Sequence, residues 1–378
     1  MLPSRQSVAV VGGGIVGLAH AWSAAKRGHQ VTLFERDTHA EGASIRNFGM
    51  IWPIGQPPGE LHHLALRSRA AWLEVARAAN LWVRECGSLH LAHRTDEWAV
   101  LEEFASLAKQ HGIACDLLSR EQVGNRSPAA NPQGLLGALW SPSELCVNPR
   151  QAIPLIRAWL VEQLGVRSQF ATTVVEVADD ELRSADGARW SFDRFIICSG
   201  ADLQTLFPAV FAGSGLKRCK LQMLRTYAQA SGWKLGPHLA SGLTLRHYAN
   251  FASCPGLAAL KQRIARETPE LDELGIHVMA SQNDEGEVIL GDSHEYDAAI
   301  EPFDKPRIDD LILRELRKVI CLPDWSLAAR WNGIYAKHPS QPIFHAQPQP
   351  GVHICVGTGG AGMTMSFGLA ERFWENCS

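Results

Sequence analysis

The stretch 8-VAVVGGGIVGLAHAWSAAKRGHQVTLFE-35 decides the fold of this chain. Four apolar residues lead into three consecutive glycines, and an amphipathic segment, a second apolar run and an acidic residue follow. This order predicts a strand, a tight turn, a helix and a second strand. Gly12 permits the turn, Gly14 lets a pyrophosphate approach the backbone, and Gly17 lets the helix pack closely on the first strand.

The acidic residue that ends the stretch supports a dinucleotide site. Glu35 lies 18 residues after Gly17, about where a carboxylate must be to bind ribose hydroxyls. The free N–H groups and the dipole at the start of the predicted helix favour anions such as a pyrophosphate. The alternative is a glycine-tolerant turn that binds nothing.

The amino-acid composition limits the classes of protein to which this chain can belong. The chain has 378 residues, of which 46% are hydrophobic and 20% charged, as in a soluble globular protein with a large core. A net charge of −3 gives no electrostatic reason to expect nucleic acid or an anionic membrane as the main partner. No apolar run is long enough to predict a membrane span.

Cysteine and histidine usage adds two expectations. Nine cysteines without a CxxC pair are typical of reduced thiols in a cytoplasmic protein rather than of a disulfide framework. The 15 histidines include no HExxH motif and no clustered spacing, so the sequence predicts no metal site.

Three later segments combine small and polar residues near predicted strands. They are the loop 42-GASIRNFGM-50, the strand end 198-CSGA-201, and the glycine-rich turn 357-GTGGAGMT-364 that opens the last helix. Small residues at strand ends let the backbone approach a ligand. A second ligand-binding turn is therefore expected near the C-terminus.

Taken in order, and with Arg330-x-x-Gly333, these motifs resemble the D-amino-acid oxidase, glycine oxidase and sarcosine oxidase (DAO) family of flavoproteins. The resemblance covers essentially the whole chain. It implies FAD rather than NAD, and an α/β fold (α+β overall) in which a Rossmann-like FAD-binding domain is interleaved with a mixed-β-sheet substrate domain. The expected division assigns 1–79, 148–216 and 331–378 to the FAD-binding domain, and 80–147 and 217–330 to the substrate domain. Segments 44-SIRNFGM-50 and 243-LTLRHY-248 resemble a sub-branch proposed to oxidise aminophosphonates.

The resemblance also implies which residues bind FAD. They are Gly12, Gly14, Ile15 and Val16 at the pyrophosphate turn; Glu35 at the ribose and Arg36 near the adenine; Ser44, Arg46, Asn47, Phe48, Gly49 and Met50 under the pyrophosphate, ribityl chain and flavin ring; Val174, Ser199 and Gly200 on the adenine side; and Gly360, Ala361, Gly362, Met363 and Thr364 at the pyrimidine edge. Some sarcosine oxidases attach FAD through a cysteine near the segment that corresponds to 331–338. This chain has no cysteine there, so non-covalent FAD is expected.

The chemistry that the resemblance implies is oxidation of a C–N bond. A hydride passes from a carbon bearing a neutral amine to flavin N5, and water hydrolyses the imine to a carbonyl. O2, reduced to H2O2, is the expected electron acceptor. Two alternatives stay open: a D-amino-acid-type dehydrogenase that passes electrons to a quinone, and a flavin-binding subunit without its own substrate.

The substrate is expected to be a small anionic amine. Candidates for binding its anionic end are Arg46, Arg246, His247, Tyr248, Arg330, Lys337 and His338. A carboxylate suits one bidentate arginine, whereas a phosphonate dianion favours two or more cations. His247 and Tyr248 are predicted to lie on one strand and point to opposite faces, so at most one is expected to reach the pocket. Lys337 and His338 are the favoured pair, and no dedicated acid or base is evident.

Overall fold

A computed structural model describes residues 5–297 and 300–377. Its strands, numbered in chain order, are β1 (Ser7–Val11), β2 (Gln30–Phe34), β3 (Met50–Ile51), β4 (Val83–Glu85), β5 (Ser88–Ala92), β6 (Asp116–Ser119), β7 (Gly137–Ser141), β8 (Leu145–Val147), β9 (Arg167–Gln169), β10 (Val174–Ala178), β11 (Glu181–Ser184), β12 (Arg189–Ser191), β13 (Arg194–Ile197), β14 (Lys217–Ala228), β15 (His238–Ala240), β16 (Met279–Gln282), β17 (Glu287–Gly291), β18 (Glu295–Asp297), β19 (Leu327–Lys337), β20 (Phe344–Gln349) and β21 (Val352–Val356).

Its α-helices are α1 (Ile15–Lys26), α2 (Glu60–Ala78), α3 (Thr95–Gln110), α4 (Arg120–Arg126), α5 (Pro149–Leu164), α6 (Pro208–Ala212), α7 (Leu257–Glu267), α8 (Pro269–Glu273), α9 (Pro306–Val319) and α10 (Gly362–Asn376). Short 3-10 helices cover Ala43–Ile45, Pro53–Gly55, Gly242–Arg246, Ala249–Phe251 and Gly359–Ala361.

The first sheet has six strands in the order β20-β21-β13-β1-β2-β9. All neighbours are parallel except the β20–β21 pair at one edge. Val10 of the central strand pairs with Ile196 on one side and Leu33 on the other. Helices cover such a sheet on its faces, and accordingly Leu18 of α1 and Phe367 of α10 are fully buried against it. The predicted strand–turn–helix–strand unit is present.

The second sheet has nine strands, mostly antiparallel, in the order β18-β14-β17-β16-β15-β5-β7-β6, with β19 also paired to β14. Apolar side chains of α3, α7 and α9, such as Phe104, Leu260 and Ile312, form the largest core cluster together with this sheet. Two small three-stranded sheets, β10-β11-β12 and β3-β8-β4, complete the architecture.

The two large sheets are built from alternating parts of the chain. β1 and β2 belong to the first sheet, β5 to β7 to the second, β9 and β13 to the first, β14 to β19 to the second, and β20 and β21 to the first again. The predicted α/β class with an interleaved mixed sheet is therefore confirmed. The expected boundary at 330/331 falls inside β19, because this strand pairs with β14 continuously from Ala329 to Lys337. The other boundaries stay predictions.

The prediction that His247 and Tyr248 lie on one strand is wrong. This segment forms the 3-10 helices Gly242–Arg246 and Ala249–Phe251. The Thr244 hydroxyl donates to the Ser241 carbonyl over 2.6 Å, and Arg246 Nη1 donates to the Leu243 carbonyl over 2.8 Å. Such local side-chain bonds to the backbone compete with strand pairing.

All nine cysteines are free thiols in the structure, as their spacing predicted. In the described part of the chain, every helix is too short or too polar to cross a bilayer.

We expect Gly17→Ala to destabilise the protein, because a Cβ at this position would lie 1.9 Å from the Gly12 carbonyl oxygen. The added methyl group would push α1 away from β1. This should lower the free energy of unfolding by about 1–3 kcal/mol and the melting temperature by roughly 2–6 °C, as followed by circular dichroism.

Gly124→Ala is the matched control, since Gly124 lies within α4 and a Cβ there meets no atom within 4 Å. It should leave the melting temperature unchanged or raise it slightly, because alanine is the better helix former. Equal melting temperatures for the two variants would contradict the close contact.

Candidate functional site

A cavity of about 1380 Å³ lies between the two large sheets. Its volume exceeds the roughly 300–1,000 Å³ of a common small-molecule site, so a dinucleotide and a second molecule fit together. Val11, Phe34, Cys198 and Val356, which end or directly follow the neighbouring strands β1, β2, β13 and β21, all line it. Because parallel strands end at the same edge, this is the edge at which α/β sheets bind ligands.

The first glycine turn brings bare backbone to this edge. Gly12 has φ +113°, and a Cβ on it would lie 2.2 Å from the Cys198 carbonyl oxygen. A Cβ on Gly14 would lie 2.9 Å from the Ser44 hydroxyl oxygen, which also accepts the Ile15 N–H over 2.9 Å. Gly14 carries no side chain that could cap α1, and Ser44 occupies only the Ile15 N–H, so the other free N–H groups of this helix start can receive an anion.

Glu35 is fixed beside the same turn. Its carboxylate accepts the Gly13 N–H over 2.7 Å and the Asp37 N–H over 3.1 Å. Arg36 Nη1 pairs with the Asp202 carboxylate over 3.2 Å across the cavity mouth. A carboxylate held by two backbone groups retains acceptor positions for the hydroxyls of a ribose.

The loop 42–50 forms another wall. The Asn47 side chain donates to the Ala43 and Ser44 carbonyls over 3.0 Å each and accepts the Gly49 N–H over 2.8 Å. Asn47 therefore orders the loop. Gly49 is not among the residues that line the cavity. A Cβ at this position would lie 2.0 Å from the Val147 carbonyl oxygen, so a glycine is needed here for the close packing of two backbone segments.

The C-terminal glycine turn lines the cavity beside the first turn, since a Cβ on Gly362 would lie 4.0 Å from Ile15 Cγ2. Helix α10 begins at Gly362 without a side-chain cap. A Cβ on Gly360 would lie 3.5 Å from the Tyr335 hydroxyl oxygen, and Lys337 forms a bridge to Thr358. The turn thus packs directly on β19, and both sheets contribute to one site.

Most of the predicted cofactor residues line this cavity. They are Gly12, Gly14, Ile15, Val16, Glu35, Arg36, Ser44, Arg46, Asn47, Phe48, Met50, Val174, Ser199, Gly200, Gly360, Ala361, Gly362, Met363 and Thr364.

The predicted substrate residues divide into two groups. His247, Tyr248, Lys337 and His338 line the cavity together with Arg46. His247 and Tyr248 both reach it, contrary to the prediction that at most one would, because the segment is helical rather than extended.

Arg330 and Arg246 lie outside the lining. Arg330 pairs with Asp309 of α9 over 3.2 Å. Arg246 pairs with Asp272 over 2.8 Å and donates to three backbone carbonyls. Both guanidinium groups therefore stabilise the nine-stranded sheet and the helices that pack on it.

The other two strong cations among the predicted substrate residues, Arg46 and Lys337, have no acidic partner in the described part of the chain. Within residues 5–297 and 300–377, no carboxylate lies within the 4.0 Å ion-pair distance of Arg46 or Lys337. Arg46 Nη1 donates to the Asn332 carbonyl over 3.3 Å, and Lys337 Nζ donates to the Tyr296 hydroxyl over 3.2 Å. Their charge is thus available to an anion in the cavity.

A buried cluster at the same end was not singled out from the sequence. It consists of His247, His277, His294 and Asp292. Burial lowers the pKa of each imidazole, to about 4 for His294, and raises the pKa of the Asp292 carboxyl. The same loss of water raises the pKa of the Tyr248 and Tyr335 phenols, so both stay protonated donors.

One sequence signal could have found this cluster. Residues 284-DEG-286 between two apolar runs are typical of a hairpin turn, and the β16–β17 hairpin pairs Gln282 with Val288 and Met279 with Gly291. Continuing that register by two residues would place His277 opposite Ser293, the neighbour of Asp292. In the structure the pairing shifts by one residue, so that His277 and Asp292 exchange backbone hydrogen bonds of 3.2 and 2.9 Å. The approach of His247 depends on the unpredicted 3-10 helices.

Comparisons with known proteins agree with this geometry. A profile of the family described as FAD dependent oxidoreductase (DAO) matches residues 7–375. One of the subunits of an opine oxidase from Rhizobium meliloti is 24% identical over 345 residues, covering 87% of this chain and 81% of that protein. A glycine oxidase of Geobacillus kaustophilus is 27% identical over 209 residues, which span 52% of this chain and only 55% of that relative.

Solved structures show the same fold. The glycine oxidase structure from Geobacillus kaustophilus superimposes with a TM-score of 0.75 at 18% identity, covering 98% of this chain and 94% of that one. A glycine oxidase from Bacillus cereus gives a TM-score of 0.77 at 16% identity, covering 99% and 96%. Because the family profile spans nearly the whole chain and the fold agrees, this protein belongs to the DAO family of FAD-dependent oxidoreductases.

Proposed function

We propose that this protein oxidises the C–N bond of a small anionic amine, with FAD bound non-covalently. One observation carries the proposal. A single cavity is lined both by the glycine turn that begins α1 and by Arg46 and Lys337, which lack acidic partners among the described residues. We call the part of the cavity beside Lys337 and His247 its inner end. FAD supplies the hydride acceptor for such a reaction. The names of the similar proteins, a glycine oxidase, a sarcosine oxidase and an opine oxidase subunit, support the same class of reaction.

The residues present fit FAD. Glycines 12 and 14 leave space for a pyrophosphate that a Cβ would fill, the uncapped start of α1 favours its charge, and Glu35 would hold the ribose. The uncapped start of α10 would face the flavin ring and stabilise negative charge on it. Segment 331–338 contains no cysteine, which supports non-covalent binding.

The anionic end of the substrate would be bound by Arg46 and Lys337, with His338 beside them. Two cations suit a phosphonate dianion, and one bidentate arginine suits a carboxylate. We propose both small amino acids and aminophosphonates related to 2-aminoethylphosphonate as the substrate class. The protonated phenols of Tyr248 and Tyr335 would donate hydrogen bonds to the bound molecule.

O2 is the proposed electron acceptor, with H2O2 as its product. A second candidate has a specific observation in its favour: the similarity to an opine oxidase subunit covers 87% of this chain. In that case the chain would bind flavin as part of a complex and lack a substrate of its own.

Anaerobic mixing with glycine, sarcosine, D-alanine, L-proline and 2-aminoethylphosphonate tests the proposal. We expect at least one of these amines to bleach the flavin absorbance of the purified single chain, and air to restore it with one H2O2 per amine oxidised. Bleaching that only a quinone reverses would indicate a dehydrogenase, and no bleaching by any amine would contradict C–N oxidation by this chain alone.

We expect Glu35→Ala to weaken FAD binding about 10- to 100-fold, because charge-assisted hydrogen bonds contribute roughly 1.5–3 kcal/mol each. The dissociation constant is measured by quenching of flavin fluorescence on titration of flavin-free protein. Glu102→Ala is the control, since Glu102 is exposed on α3 away from the cavity. Equal affinities in the two variants would exclude Glu35 from the cofactor site.

We expect Lys337→Gln to raise the apparent dissociation constant of the anionic amine about 10-fold, which corresponds to about 1.4 kcal/mol. The constant comes from the concentration dependence of anaerobic flavin reduction. The exposed Lys261→Gln on α7 should leave it unchanged. A Lys337→Gln variant with unaltered affinity would assign the anion to other groups.

A further inference from the structure

Three histidines from distant parts of the sequence meet at the inner end of the cavity. His247 follows the 3-10 helix Gly242–Arg246, His277 precedes β16, and His294 precedes β18. One ring nitrogen of each lies within 4.8 Å of the others. Their ring centroids are 3.9 Å apart for His247–His277, 4.4 Å for His247–His294 and 4.9 Å for His277–His294.

The hydrogen bonds of the cluster leave ring nitrogens of His277 and His294 without a donor or acceptor role toward the protein. His294 Nδ1 lies 3.1 Å from the Gly275 carbonyl oxygen and donates to it, so Nε2 carries the lone pair. Neither ring nitrogen of His277 has a hydrogen-bond partner among the described residues, although this side chain is only 2% exposed. A buried polar group without a partner costs about 1–3 kcal/mol, so a ligand that bonded to these nitrogens would recover that free energy.

Asp292 adds a carboxylate to the same point. Its Oδ1 lies 3.4 Å from His277 Nε2 and its Oδ2 lies 3.8 Å from His294 Nε2. Oδ1 has no hydrogen-bond partner within the described part of the chain, and the residue is 5% exposed. Three imidazoles and one acid therefore converge in a region that excludes most water.

We propose that His247, His277 and His294 bind a divalent transition-metal ion of the zinc class, with the neighbouring Asp292 carboxylate as a fourth ligand. Three imidazole nitrogens with one carboxylate oxygen are an ordinary ligand set for Zn²⁺. Ca²⁺ and Mg²⁺ are disfavoured because they require mostly oxygen ligands. His294 donates its Nδ1–H to the Gly275 carbonyl, and a hydrogen bond of this kind commonly orients an imidazole that binds a metal through its other nitrogen.

The distances are compatible with this assignment. Tetrahedral bonds of about 2.0–2.1 Å place ligand nitrogens about 3.3 Å apart, so the imidazoles would close in by side-chain rotation alone. A direct anion site made of the same three imidazoles is less favourable, because burial lowers the pKa of each imidazole and so disfavours the cationic form that would attract an anion. All four residues line the cavity, so the ion would have an open side toward a bound molecule.

Metal binding to the FAD-loaded full-length protein tests the proposal. The protein is dialysed against a chelator, then against Zn²⁺, and its metal content is measured by mass spectrometry. Co²⁺ is used in parallel, since its ligand-field absorption reports the geometry of nitrogen and oxygen ligands. We expect about one ion per chain.

The variants His277→Ala and His294→Ala should each weaken Zn²⁺ binding at least 10-fold, whereas His111→Ala should not, since His111 is exposed beyond the end of α3. His247→Gln serves as a further variant if either alanine variant fails to fold, which its flavin content and melting curve report. Less than about 0.2 Zn²⁺ per wild-type chain, or equal binding by all variants, would overturn the proposal.

Binding of inorganic phosphate but not of Zn²⁺ by the chelator-treated protein would also overturn it, by assigning the cluster to an anion. These readouts do not depend on amine oxidation. A chain that binds Zn²⁺ but oxidises no amine would refute only the proposed function.

Discussion

The close contact between the backbones of Gly12 and Gly17 is the constraint on which the site depends. A side chain at either position would meet a carbonyl oxygen at about 2 Å, from Cys198 in one case and from Gly12 in the other. Helix α1 can therefore begin directly at the edge of the parallel sheet, with its first N–H groups directed into the cavity. Every other wall of the cavity is positioned relative to this edge, because β2, β13 and β21 extend the same sheet.

Much of the fold could be predicted because its signals are local. The apolar runs and glycines of 8–35 specify β1, α1 and β2, and the glycines of 357–364 specify the turn before α10. The mixed sheet was inferred only through family resemblance. The long strand β19 could not be delimited from the sequence, since its pairing with β14 is a contact between residues about 110 positions apart.

The candidate site was predictable at its cofactor end and much less at its inner end. Glycine turns and the spacing to Glu35 have sequence signatures, whereas the partner of an arginine does not. Arg330 of β19 pairs with Asp309 of α9, and nothing local in the sequence indicates this contact. The sequence predicts His247 and Tyr248 on one strand, whereas they lie between two 3-10 helices. The competing bonds of Thr244 and Arg246 to the backbone decide otherwise.

The order of strands in the first sheet has a consequence for how the protein is made. The central strand β1 is separated in the sheet from β21 only by β13, yet β21 and the helix α10 that follows it are synthesised more than 300 residues after β1. The nascent chain must keep β1 and β2 beside an unfinished edge until residues beyond 350 have left the ribosome. The edge of β13 that later pairs with β21 is exposed during that interval, and unpaired strand edges of this kind are prone to aggregation.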